Sequence, residues 1–223
     1  MMLPRLRFVA SFAAAAFAAV VALVPLSAQA GAQAEEQLAP AVATLMSRAI
    51  SDQPAPARYT ARPELRAWVD EMSRRLAARM PDARERDDFL STVHYEATRA
   101  GLDPQLVLGV IQTESAFHKY ALSIAGARGY MQVMPFWTKS IGTPEHNLFH
   151  LRTNLRYGCV ILRHYLDIES GDVFRALGRY NGSLGQVDYP MAVVGAMNRS
   201  WLYAPVLTTS TALGAAAAPT VTR

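Results

Sequence analysis

Residues 103–117 read Asp-Pro-Gln-Leu-Val-Leu-Gly-Val-Ile-Gln-Thr-Glu-Ser-Ala-Phe. Asp103 is a capping residue and Pro104 suits a first helical position, so the stretch opens as a helix. Leu106, Val107, Val110 and Ile111 share one face, which predicts a helix over Gln105–Ala116. Glu114 continues that stripe, seven, four and three positions after Val107, Val110 and Ile111. A carboxylate on a buried face is costly unless paired or neutralised, and burial raises its pKa. A raised pKa keeps a proton available near neutrality, as a general acid requires. From the stripe alone the plainer reading stands ahead: a helix-end Glu facing solvent or hydrogen-bonded within the core.

The flanking sequence repeats the helical period. A short helix is expected near Leu38–Ile50. Leu65, Trp68, Val69, Met72 and Leu76 predict an amphipathic helix opening at Pro63 and ending before Pro81. Phe89, Leu90, Val93 and Ala97 predict another over Asp87–Ala100, stopped by Gly101. Beyond a loop over Phe117–Gly129, short helices are expected over Tyr130–Ile141, Leu151–Leu166, Val173–Tyr180 and Pro190–Trp201, with a turn at Asn181–Gly185. No alternating β-branched run of strand length stands out. The fold class is therefore mainly α, with one globular unit over 85–203 preceded by a leader over 31–84. Residues 31–60, with their Pro-Ala-Pro-Ala, are expected to pack poorly. An Ala/Thr-rich tail over 204–223 is expected to be disordered.

The first thirty residues have a different character. Arg5 and Arg7 precede an uncharged run, Phe8–Leu26, followed by Ser-Ala-Gln-Ala ending at Ala30. This is the layout of a secretory signal peptide over 1–30, cleaved after Ala30, and it implies an exported, periplasmic protein. An uncleaved anchor is the rival, because the run is near spanning length. The chain has 223 residues, 51% of them hydrophobic, and a net charge of +4. Without Arg5 and Arg7 that charge is +2, too mild to indicate a nucleic-acid partner. The single cysteine, Cys159, lies in the apolar pattern Leu155, Cys159, Leu162 and reads as a core thiol. His146 and His150 are four apart, but no third ligand accompanies them, so no metal and no cofactor are expected.

From Ser115 to Pro144 there is no Asp or Glu. Within that gap lies Ser123-Ile-Ala-Gly-Ala-Arg-Gly-Tyr-Met-Gln-Val-Met-Pro135, whose small residues let backbone approach a ligand. Gln132 brings a donor and an acceptor suited to sugar hydroxyl or N-acetyl groups. Arg179-Tyr180-Asn181-Gly182 later places a phenol and an amide at a turn.

Taken in order, QTESAF, SIAGARGYMQVMP and RYNG resemble the three signature blocks of the lytic transglycosylase SLT domain, a family related to goose-type lysozymes. The resemblance covers about Phe89–Trp201. It implies a lysozyme-like compact helical domain with a substrate cleft. It further implies that Glu114 is the acid/base for cleaving peptidoglycan strands between N-acetylmuramic acid and N-acetylglucosamine, with 1,6-anhydro ends as product. Ser123, Gln132, Met134 and Tyr180 would line the scissile bond, Asn181 would brace the cleft, and Ser115 would seat the catalytic helix.

The chain departs from the family pattern at Tyr130, where Leu is usual, at His118, where Asn or Asp is usual, at Lys119, where Pro is common, and at Arg179, where Ala is common. None of these removes a catalytic group. Glycosidases generally use two carboxylates. The acid-free stretch fits a one-carboxylate mechanism, with Glu96, Asp103 and Asp188 as the acids that folding could still bring near. Hydrolysis by a muramidase, and a non-catalytic wall-binding module, are the competing functions.

Overall fold

A computed structural model describes residues 33, 35–51, 59 and 61–204. The expected signal segment over 1–30, and all but the first residue of the expected tail, lie outside the described residues. Among the described residues eight α-helices are bounded, in chain order: α1 Pro40–Ile50, α2 Pro63–Leu76, α3 Ala83–Arg99, α4 Pro104–Ser115, α5 Phe136–Ile141, α6 Leu151–Ile168, α7 Val173–Asn181 and α8 Asp188–Ala196. A π-helical turn, Met197–Trp201, closes the series. Among the described residues there is no strand, only isolated bridges from Arg128 to Leu122 and Val133.

The helix starts follow local chemistry. Asp103 accepts from the Gln105 amide at 2.8 Å, and Asp172 accepts from the Arg175 amide at 3.0 Å. Asp82 does the same for Glu85 at 2.8 Å, so α3 begins at Ala83 rather than Asp87. The cap lies five residues before the expected start. The expected helix over Tyr130–Ile141 forms only from Phe136. Gln132 has φ 48° and Arg128 exchanges backbone hydrogen bonds with Val133, so residues 130–135 cannot continue a helix. The last helix begins at Asp188, two residues before the expected Pro190.

The packing of residues 40–50 corrects the expectation of a poorly packed leader there. Met46 and Ile50 are buried, as are Leu65, Trp68, Val69, Met72 and Leu76 of α2, in the same apolar cluster as the helices after residue 84. Gln33 is buried as well; its amide donates to the Tyr180 carbonyl, and its oxygen accepts from Trp137 Nε1 at 2.8 Å. Between α3 and α6 a buried ion pair joins Glu96 to Arg156 at 2.8 Å. Cys159 sits in this core, where burial pushes its thiol pKa up, away from nucleophilic use.

Two glycines set the spacing around the end of α4. A Cβ at Gly109 would lie 2.8 Å from the Val193 carbonyl, so only a hydrogen there lets α4 and α8 approach so closely. A Cβ at Gly158 would lie 2.4 Å from Met131 Sδ, which brings α6 against the loop that follows α4.

Candidate active site

Helix α4 ends abruptly. Ala116 and Phe117 both take left-handed backbone, with φ 47° and 69°, and turn the chain away just after Glu114. Glu114 is thus held on the last turn of a buried helix, with 8% of its surface exposed. Its Oε1 accepts a 2.5 Å hydrogen bond from the Tyr189 hydroxyl on α8. Oε2 is buried and has no hydrogen-bond partner among the described residues. Burial pushes the carboxyl pKa up to about 7; Tyr189 and the nearby Asn181 amide oppose that rise by favouring the charged form. No second carboxylate is among the groups that set it. Burial, with Glu114 beside it, raises the Tyr189 phenol well above its usual range, so Tyr189 remains a donor throughout.

The three acids left open by the sequence are otherwise engaged or distant. Glu96 is locked to Arg156. Asp103 caps the opposite end of α4, eleven residues away, or about 16 Å along the axis. Asp188 is exposed at the start of α8.

The loop after α4 is built from side chain to backbone. Ser115 Oγ donates to the Tyr130 carbonyl at 2.8 Å and to Ile111 at 3.1 Å, so it ties the helix end to the loop. Ser123 Oγ accepts from the Ala127 amide at 3.0 Å, inside the loop. Gln132 is buried, and its amide nitrogen donates to Gly129 and Ala121 carbonyls at 3.0 and 3.1 Å. That donor braces the loop rather than facing a sugar. Met134 is half-buried against the core.

Tyr180 departs from its expected position. It is 1% exposed, and its hydroxyl donates to the Met131 carbonyl at 2.7 Å, so it supports the loop from behind instead of lining the site. Asn181, one residue on, stands beside Glu114. The phenol that reaches the acid is Tyr189, which sequence reasoning missed. It lies one residue before Pro190, where the last helix was expected to open, and so fell between the expected turn and that helix.

Asn154, on α6, was also unforeseen. Its Oδ1 accepts from Met131 N at 2.8 Å, and its Nδ2 donates to Arg128 and Leu148 carbonyls, each at 2.8 Å. Gly129 has φ 73°, and a Cβ there would stand 2.5 Å from Asn154 Nδ2. The sequence signal for Asn154 is a lone amide on the buried face of an amphipathic helix.

The remaining candidates take ordinary roles. His146 Nδ1 shares a 2.7 Å hydrogen bond with the Tyr157 hydroxyl, and His150 lies exposed at the α6 start. Among the described residues no three His, Cys, Asp or Glu side chains gather as a metal site would need.

This arrangement offers one buried acid, poised near neutrality, with one oxygen held and the other left without a partner. Comparison with known proteins gives it a context. The profile of the Transglycosylase SLT domain matches residues 91–200, which include Glu114, the loop, Asn181 and Tyr189. A transglycosylase of Enterobacteria phage PRD1 is 39% identical over 98 residues, covering 44% of this chain and 36% of the phage protein. Membrane-bound lytic murein transglycosylase C of Haemophilus influenzae is 33% identical over 115 residues, 44% of this chain and 32% of that protein. The chain therefore spans about a third of the length of these curated relatives. A solved structure of an inactive mutant of the lytic transglycosylase Slt from Pseudomonas aeruginosa aligns with 55% of this chain and 22% of its own, at 25% identity and a TM-score of 0.41.

Proposed function

The chain belongs, through residues 91–200, to the Transglycosylase SLT domain family, and from that premise we propose that it is a peptidoglycan lytic transglycosylase with Glu114 as its acid and then its base. The observation that carries this reading is the Glu114 carboxyl itself: buried, raised to about 7, and bonded through one oxygen to Tyr189. A group half-protonated near neutrality can give a proton and take one back in a single turnover.

Protonated Glu114 would donate to the glycosidic oxygen between N-acetylmuramic acid and N-acetylglucosamine. The C1–O bond breaks with its electron pair going to the leaving 4-hydroxyl. The substrate's own 2-acetamido oxygen stabilises the cationic C1. Glu114, now a carboxylate, removes the C6 hydroxyl proton, and O6 closes on C1 to give the 1,6-anhydro ring. The acid is restored and no water is consumed. Tyr189 and Asn181 hold the carboxylate through the charged half of the cycle. The layout of residues 1–30 supports action on the cell wall after export to the periplasm.

Mass spectrometry of digested peptidoglycan tests this directly. Anhydromuropeptides are expected. Reducing ends carrying added water would replace the proposal with a hydrolytic muramidase. Binding to insoluble sacculi without release of fragments would replace it with a wall-binding module.

A further inference from the structure

Two of the departures from the family pattern, Lys119 and Tyr130, line the same cavity. It has a volume of about 430 Å³ and lies between α3, the start of the loop after α4 and the start of α6. Glu85 and Asp88 stand exposed on its α3 wall, and Lys119 and Arg152 stand half-buried on the loop and α6 walls. Among the described residues no ion pair joins Lys119 to Glu85 or Asp88; its ammonium lies 5.4 Å from the centre of the Tyr120 ring. Tyr130 is buried between them, with its ring 4.9 Å from that of Phe89. Burial and the two acids push its phenol up to about 12, so it keeps its proton. Glu85, Lys119 and Tyr130 also line an adjoining depression that runs toward Arg79. Of the other two departures, His118 lines the adjoining depression only, and Arg179 pairs with Glu169 and lines neither cavity.

The cavity is tied to the catalytic helix. The Tyr130 carbonyl accepts the Ser115 hydroxyl bond, one residue from Glu114. Acids on one wall suit an ammonium, bases on the other suit a carboxylate, and a neutral phenol between them can donate to either an amide or a carboxylate. A ligand with an amine and a carboxylate a few bonds apart neutralises both walls, which the hydroxyls of an uncharged sugar strand do not. The stem peptides attached to peptidoglycan strands are such ligands, since a diamino acid within them carries a free amine and a free carboxylate.

We propose that this cavity binds the stem peptide of the glycan substrate, with Glu85 and Asp88 receiving its amine and Lys119 and Arg152 its carboxylate. The proposal rests on the glycan-cleaving reading given above. It makes Lys119, Asp88 and Tyr130 determinants of specificity.

The test compares the intact chain on strands that carry stem peptides and on strands stripped of them by an amidase. The ratio of kcat/KM values should favour peptide-bearing strands by about threefold or more, the scale of a partly exposed ion pair. Lys119→Ala and Asp88→Asn should each bring that ratio toward one. A ratio that neither variant moves overturns the proposal. Calorimetry with the free tripeptide Ala-γ-Glu-diaminopimelate gives a readout without catalysis: saturable binding to the unsubstituted chain, weakened in both variants, is expected. No binding overturns the proposal even if glycan is cleaved. Binding without any glycan cleavage keeps the cavity and overturns the catalytic reading instead.

Discussion

The hydroxyl of Tyr189 donates to Oε1 of Glu114 at 2.5 Å across the α4–α8 contact. This bond fixes the orientation of a carboxylate that burial alone would leave as a neutral acid. Removing it takes away an influence that lowers the Glu114 pKa. In Tyr189→Phe the pKa should rise above about 7, and the fall in activity on the alkaline side should move to higher pH. The loss of a hydrogen bond to a charged group should lower kcat by about tenfold to a hundredfold. A pH–rate profile of both proteins reads both effects.

Glu114→Gln should abolish cleavage and leave the fold intact. It should also alter the pH dependence of stability. The folded-state pKa is raised from 4.5 to about 7, so the stability linked to this group is present below about 4.5 and lost as pH rises through about 7. The loss amounts to about 3 kcal/mol. Denaturant melts should show the Gln variant gaining on the unsubstituted chain as pH rises, with little difference in acid.

Gly109→Ala places a methyl 2.8 Å from the Val193 carbonyl. Separating α4 from α8 should cost about 1–3 kcal/mol in stability. The same shift draws Tyr189 away from Glu114. Activity at a temperature where the variant is fully folded should therefore fall, and the Glu114 pKa should move in the direction expected for Tyr189→Phe.

Asn154→Ala strips the loop of one acceptor and one donor, at Met131 and Arg128, and frees the Leu148 carbonyl before α6 as well. Buried backbone groups left without partners should cost about 2–4 kcal/mol. Hydrogen exchange should show the Met131 amide losing protection in this variant while the amides of α2 keep theirs.

Helices were legible wherever an apolar period ran unbroken, as in α2, α4 and α6, and their caps placed the starts to within a few residues. The loop over 130–135 was not, because Met131, Val133 and Met134 look like a helical face and only the positive φ of Gln132 shows otherwise. For the site, Glu114 stood out through its position on a buried stripe followed by an acid-free stretch. Its partner Tyr189 lies seventy-five residues along the chain, brought in by the close approach at Gly109. No local pattern encodes that meeting. Tyr180 shows the reverse: a phenol beside an amide at a turn looks like a ligand-facing pair, yet the helix that carries it turns it inward.

Two of the hydrogen bonds of Asn154 tie the loop after α4 to α6, in addition to the bonds the loop makes within itself. Its carbonyls and amides are held from beneath, so the side chains on its outer surface bear little of the folding burden. Lys119, half-buried, and Ile124, fully exposed, can therefore change the face the loop presents without disturbing where Glu114 stands. In this scaffold the outer skin of the loop is free to vary while the carboxyl beneath it keeps its seat.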